Sequence, residues 1–174
     1  MAGGNGDMNN FETAPRYSIE INLGEQTLIL SDRDEPRATF PVSTAANGPG
    51  QEMDSECTPL GRHIIDEKIG GGCIENTVFI GRQPTGEIYT EDLNSRHPER
   101  DWILTRIMWL RGTEPGRNDG GNVDSKARYI YIHGSPESCK IGVPGSRGCI
   151  RMRNDDVVRL FELVEAGTPV DIVN

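Results

Sequence analysis

The chain has 174 residues, with 18 Lys and Arg against 27 Asp and Glu, a formal net charge of −9. That is about one domain's worth of protein, long enough to bury a core without disulfide staples, and its acidic balance argues against a surface that neutralises phosphates. With 21 Gly, 11 Pro and only 6% aromatic residues, the composition points to a loop-rich, β-dominated globular domain rather than a stacking platform for single-stranded nucleic acid.

Residues 1–14 carry Gly, Asn and Asp and almost nothing to bury, so disorder is expected there, with one domain over 15–174. Met1–Asn10 has neither a basic start nor an apolar stretch, so it does not read as a secretory signal. A cytoplasmic location is expected of the chain as it stands, and the periplasm or cell envelope if a leader was removed. No apolar run approaches the roughly 18 residues of a membrane helix.

Tyr17, Ile19, Ile21 and Leu23 alternate with Ser18, Glu20 and Asn22, the period of a half-buried strand. Gly24–Gln26 turns the chain, and Thr27–Leu30 reads as the partner strand. Arg37–Ala45 reads as a third strand, with Pro41 marking an edge or a bulge. Asn47–Gly50 and Thr58–Gly61 are turns or loops. His63–Ile65 is a short strand, and Gly70–Gly72 a flexible loop. No Gly-Lys-Ser/Thr follows those glycines, so they do not read as a phosphate cradle.

Thr77–Ile80 reads as a strand, and Gly81–Arg100 as a polar stretch broken by Pro84 and Pro98. Trp102–Leu110 is apolar on both faces apart from Thr105 and Arg106; a buried strand is expected, with a helix as the competing reading. Thr113–Asn122 has the composition of a mobile loop and a lid, which Gly81–Arg100 could extend. Tyr129–Ile132 is a run of β-formers ending at His133-Gly134. One clear helix is expected over Asp155–Ala166, with Asn154 as N-cap and Asp155 and Asp156 at the positive end of the dipole. Val157, Leu160, Phe161 and Val164 form its apolar face, and Gly167 stops it. Val170–Val173 closes the domain. The expected fold is mainly β: a mixed, sandwich-like sheet with one helix.

Cys57, Cys73, Cys139 and Cys149 form no CxxC pair, and His63, His97 and His133 are the only histidines, so a zinc site has poor support. Four cysteines are too sparse for a disulfide framework. Cys57 and Cys73 flank loops and read as incidental. An idle thiol is the preferred reading of Cys139 over a regulatory disulfide with Cys149. His63 reads as a surface residue of its strand, and His97 as exposed.

His133 ends an apolar strand, so it is held rigidly where sheet meets loops. Cys149 follows Gly148, whose backbone accepts unusual turns and leaves the sulfur approachable. A free thiol titrates near 8.5, and a neighbouring imidazole raises the thiolate fraction by taking its proton and pairing with it. Backbone N–H groups beside Cys149 are candidates for an oxyanion hole. On spacing alone, a packed histidine and an inert thiol account for the same residues, and both readings stay open.

The stretch His133-Gly134-Ser135, then Ser146-Arg147-Gly148-Cys149-Ile150-Arg151, resembles the signature of the L,D-transpeptidase catalytic domain of the YkuD type. Phe40–Thr44 with Asn47-Gly48, Thr58-Pro59 with Gly61, and Asn154–Asp156 before the helix are similar to other parts of that family, so the resemblance covers roughly residues 17–173. It implies Cys149 as nucleophile, His133 as general base and the Gly134 carbonyl as the group that orients the imidazole. Ser146, Gly148 and Cys149 would line the oxyanion region. Arg151, Arg147 and Ser135 would meet the substrate. Many members carry His where this chain has Arg147, which leaves His133 as the one base of the motif. The resemblance implies no metal and no organic cofactor.

The implied substrate is a peptidoglycan stem peptide or muropeptide cleaved at an L-to-D bond, from meso-diaminopimelate to D-alanine. The thioester would be resolved by an amine in transpeptidation, or by water in an L,D-carboxypeptidase, which is favoured if Met1 is the native start. Carbapenems are the implied covalent inhibitors. Two readings from other classes are a non-catalytic peptidoglycan-binding module and a redox-sensing protein using Cys139 and Cys149.

Overall fold

A computed structural model describes residues 14–174. The disorder expected of 1–14 therefore falls, Ala14 apart, outside the described residues. Ten strands and two α-helices run in the order β1 (Tyr17–Asn22), β2 (Thr27–Asp32), β3 (Glu35–Pro41), β4 (Gly61–Ile69), β5 (Thr77–Ile80), β6 (Gln83–Ile88), α1 (Glu91–Arg96), β7 (Ile103–Gly112), β8 (Tyr131–Gly134), β9 (Ile150–Met152), α2 (Asn154–Leu163) and β10 (Pro169–Val173). They build one mixed sheet in the order β3-β2-β1-β10-β4-β7-β5-β6, with β8 paired to β7 and β9 to β8. The expected mainly β architecture is the one observed.

The alternation read at the start of the chain is a burial pattern: Ile19 and Ile21 of β1 and Leu28 and Leu30 of β2 are all in the core. β3 forms an edge of the sheet and ends at Pro41, where a missing amide costs no ladder bond. The core lies between the sheet and α2. Val157, Leu160 and Phe161 pack with Met108, Leu110, Ile132 and Ile150. The apolar run before residue 112 is the strand β7, so the competing helix is overturned. The two polar residues that interrupt it mark an irregularity. The β7–β8 register shifts between Leu104 and Ile107, and Thr105 there takes a φ of +73°.

Several expectations need correcting. Gly81–Arg100 is not merely broken loop: it holds β6 and the short helix α1, capped by the Thr90 hydroxyl on the Leu93 amide. Arg153, not Asn154, occupies the N-cap position of α2. The buried Asn154 side chain is instead used inward, accepting from Thr105 Oγ1 (2.7 Å) and donating to Asn76 Oδ1 (2.9 Å). The helix ends at Leu163, and Gly167 turns the chain into β10 with a φ of +92°. His63 is buried, not on the surface, with Nδ1 on the Gly61 carbonyl and Nε2 on Ser125 Oγ, both at 2.8 Å. Thr113–Asn122 is no lid. Asn118 is fully buried there and donates to the carbonyls of Leu60 and Arg62, tying the loop to the start of β4.

Candidate active site

The connection after β8 returns to form β9 parallel to it, with Ile132 opposite Ile150 and His133 opposite Arg151. Parallel strands start at the same end, so Cys149, just before β9, comes level with Tyr131. Pleating points alternate residues to one face. Tyr131, His133 and Arg151 thus share one face, and Cys149 packs against the cluster of Phe79, Ile107 and Tyr131. His133 stands one pleat repeat, about 7 Å, further along that face from the level of Cys149.

The turn that presents Cys149 is held from several sides. Ser146 Oγ donates to the Cys149 carbonyl (2.6 Å) and accepts from the Gly148 amide (3.2 Å). Thr58 Oγ1 donates to the Gly148 carbonyl (2.9 Å). Gly148 has a φ of +129°, and a Cβ there would lie 3.2 Å from the Cys57 carbonyl oxygen and 3.3 Å from Ile130 Cδ1. Only glycine suits both the conformation and the space. The Ser146 amide goes to the Thr44 carbonyl. With Gly148 bonded to Ser146, the Cys149 amide is, among the described residues, the uncommitted member of the three expected around an oxyanion.

Cys149 is half-buried in the wall of an open cleft of about 570 Å³. Its sulfur accepts from the Tyr131 amide and donates to the Tyr129 carbonyl, each at 3.3 Å. Burial pushes its pKa up to about 12, against the smaller opposing pull of the Tyr131 amide and the nearby arginines. His133 is fully buried, with Nδ1 2.7 Å from the Gly134 carbonyl oxygen. That oxygen can only accept, so Nδ1 carries the hydrogen and Nε2 the lone pair. Burial lowers the His133 pKa, partly offset by the Gly134 bond and by Asp101. Both shifts favour the neutral forms, thiol and imidazole, over the ion pair.

The remaining motif residues divide. Arg151 and Arg147 line the cleft. Arg151 is held by Asp101 (2.9 Å) and the Gly145 carbonyl (3.1 Å), and its Nη1 lies 3.9 Å from Cys139 Sγ. Ser135 does not line it. Its buried hydroxyl donates to the Met152 carbonyl (2.7 Å) and ties β8 to β9, so the substrate contact expected of it is corrected to a structural one. A Cβ on Gly134 would lie 2.4 Å from Asn154 Oδ1, so that glycine is required by packing. All four cysteines are free thiols. His97 is partly exposed at the end of α1.

Sequence reasoning missed Arg82, Asp101, Arg128 and Tyr129, all of which line the cleft. They come from three segments, the β5–β6 turn (Arg82), the loop before β7 (Asp101) and the turn before β8 (Arg128 and Tyr129), which only the folded chain brings to one cleft.

Comparison with known proteins gives the family of the chain. The L,D-transpeptidase catalytic-domain (YkuD) profile matches residues 16–172. The chain is 29% identical over 164 residues to the YkuD protein of Bacillus licheniformis, covering 94% of this chain and 68% of that one. It is 46% identical over 162 residues to the probable L,D-transpeptidase YcfS of Escherichia coli K12, covering 92% of this chain and 45% of that one. Thus the chain spans about two thirds of the first relative and less than half of the second. Among solved structures, the L,D-transpeptidase LdtMt1 in complex with imipenem superposes with a TM-score of 0.55 at 20% identity, covering 91% of this chain and 59% of that one. At that identity the likeness is one of fold.

Proposed function

The chain belongs to the L,D-transpeptidase catalytic-domain family, and from that premise we propose that it transfers acyl groups from peptidoglycan stem tetrapeptides through a thioester on Cys149. The observation that carries this reading is the β8–β9 register, which sets His133 one pleat repeat from the level of Cys149, together with the Nδ1 bond to the Gly134 carbonyl that leaves the lone pair on Nε2. His133 Nε2 takes the Cys149 proton as the sulfur attacks the carbonyl carbon of the meso-diaminopimelyl residue. The Cys149 amide donates to the oxyanion that forms. The bond to D-alanine breaks, and its nitrogen leaves with the proton from His133. An amine of a second stem peptide then attacks the thioester, gives its proton to His133 and forms the crosslink. The sulfur leaves and regains a proton.

Proton transfer is concerted with attack, because neither the thiolate nor the imidazolium is favoured at rest. No step calls for a metal or an organic cofactor. The same thiol is the group we expect carbapenems to acylate, a reading supported by the imipenem held by LdtMt1.

The test is mass spectrometry of products from a disaccharide tetrapeptide, with and without an amine acceptor, beside Cys149→Ala. Release of D-alanine with crosslinked dimers, both lost in the variant, is the expected result. Release without dimers would make the chain an L,D-carboxypeptidase, able to act on free tetrapeptides in the cytoplasm. Crosslinking, by contrast, belongs in the cell envelope. No product from either protein would leave a peptidoglycan-binding module.

A further inference from the structure

Four arginines, Arg82, Arg128, Arg147 and Arg151, line the cleft that holds Cys149, against a single carboxylate, Asp101. The chain as a whole carries a net charge of −9, so this cluster runs against the molecular average. Asp101 is taken up by Arg151 at 2.9 Å. Among the described residues the other three arginines have no carboxylate partner.

Arg128 is half-buried, and neutral oxygens alone cap it: the carbonyls of Gly50, Gln51 and Cys57 and the Ser55 hydroxyl. Arg82 also leans on neutral groups. Its Nη1 donates to Tyr131 Oη (3.1 Å), and its guanidinium lies over Trp109 (4.6 Å) and Tyr129 (5.1 Å). Gly81 and Arg82 have φ values of +55° and +63°, so a tight two-residue turn at the tip of the β5–β6 hairpin mounts this cation at the cleft. Arg147 is exposed on the turn before Cys149 and makes no hydrogen bond among the described residues.

Holding the half-buried Arg128 charge away from water without a carboxylate is costly, and an arriving anion offsets that cost, while exposed Arg147 and partly exposed Arg82 are solvated cations free to pair with it. Guanidinium groups pair with carboxylates through strong, two-pronged hydrogen bonds, whereas an amide brings no charge to them. We infer that this cleft is built for a donor peptide with several free carboxylates, and that it discriminates against the same peptide with those groups amidated. The inference rests on the donor reading above and names its substrate class. A stem tetrapeptide meets the requirement when its isoglutamyl and diaminopimelyl carboxylates are free, beside that of the terminal D-alanine.

The experiment compares two synthetic tetrapeptides: one with all carboxylates free, the other amidated at the isoglutamyl and diaminopimelyl positions. Binding is measured on Cys149→Ala, and release of D-alanine on the unaltered chain, at low and at high salt. Amidation is expected to weaken binding about tenfold or more, and to raise KM while kcat stays within about twofold, the scale of one lost charged hydrogen bond. Arg147→Ala and Arg82→Gln should each raise KM for the free-carboxylate donor and shrink the preference. Arg147→Lys should restore much of it, and high salt should narrow the share owed to exposed Arg147. Arg147 is exposed and makes no hydrogen bond among the described residues, so its variants are expected to keep the fold, which circular dichroism checks.

Equal binding and equal KM for the two donors, or a preference unchanged in both arginine variants, would overturn the inference, while release of D-alanine would still uphold the donor reading. A binding preference without release would overturn the donor reading and leave the charge preference standing. No binding and no release with either donor would overturn both.

Discussion

The Tyr129 carbonyl oxygen accepts the hydrogen of the Cys149 thiol at 3.3 Å, and Tyr129 reaches that position with a φ of +57°. A bulky residue in the left-handed region costs roughly 1–2 kcal/mol. The strained backbone therefore directs a carbonyl at the sulfur, which suits a thiol and opposes a thiolate. Burial acts in the same direction and pushes the thiol up to about 12. Alkylation of Cys149 by iodoacetamide should accordingly climb steadily from pH 7 to pH 10. A plateau already reached near pH 6–7, the signature of a resting ion pair, would contradict this. Reaction at the other three thiols is subtracted with Cys149→Ala.

Acid should destabilise the fold before its carboxylates are reached. His63 and His133 are buried, and burial lowers the pKa of each below its ordinary value near 6.5. A group whose folded pKa is lowered in this way is neutral in the fold and takes up a proton more readily when unfolded. Stability is therefore fully present above about pH 6.5 and declines as pH falls below it. Asp66, held low by Lys126 and Arg111, contributes its loss only in the carboxylate range further down. Urea midpoints at pH 7.5 and 5.5 should differ, and His63→Gln should flatten part of that difference. Identical midpoints in the native chain would refute the assignment.

Gly148→Ala should cost stability and chemistry together. The new Cβ meets the Cys57 carbonyl oxygen at 3.2 Å in a backbone conformation that disfavours any side chain. About 1–3 kcal/mol is expected, with Cys149 displaced from the cleft wall and acylation largely lost. Gly142→Ala is the control: its φ is +97°, but no atom lies within 4 Å of the added carbon. It should pay the backbone cost and still acylate. Thermal denaturation and labelling by a carbapenem measure the two effects side by side.

Asn154→Ala should act on the site from beneath. Its side chain joins Thr105 and Asn76 and fills the space against Gly134. Removing it leaves buried polar partners unsatisfied, worth about 1–3 kcal/mol, and opens a gap under the carbonyl that holds His133. A lower denaturation midpoint together with a reduced acylation rate is expected. An unchanged rate at lower stability would show that the support is not transmitted to His133.

The local patterns were legible where burial follows the chain's own period. The alternation from Tyr17 to Leu23 and the apolar face of α2 appear in the fold, whereas of the β-formers before His133 only Tyr131 and Ile132 lie in β8, Tyr129 standing in a left-handed turn before it. The helix start was misread because Asn154 has the chemistry of a cap but spends its amide on two residues from other strands and loops. His63 was misread because a strand residue shows its alternation but not which face the rest of the molecule will cover. The proposed lid was misread because loop composition cannot reveal that Asn118 is anchored to β4.

The order of residues alone carried the motif: a strand ending in His133, a returning loop, and Cys149 behind a glycine. Within each half, the strand end at His133 and the Gly148-Cys149 turn, local steric rules act directly on chain neighbours. The parallel pairing of β8 with β9, the Tyr129 carbonyl at the sulfur and the arginines around the cleft follow from contacts between distant segments. Such contacts exist only once the sheet has closed, because burial and charge pairing depend on what is near in space, not on what is near along the chain.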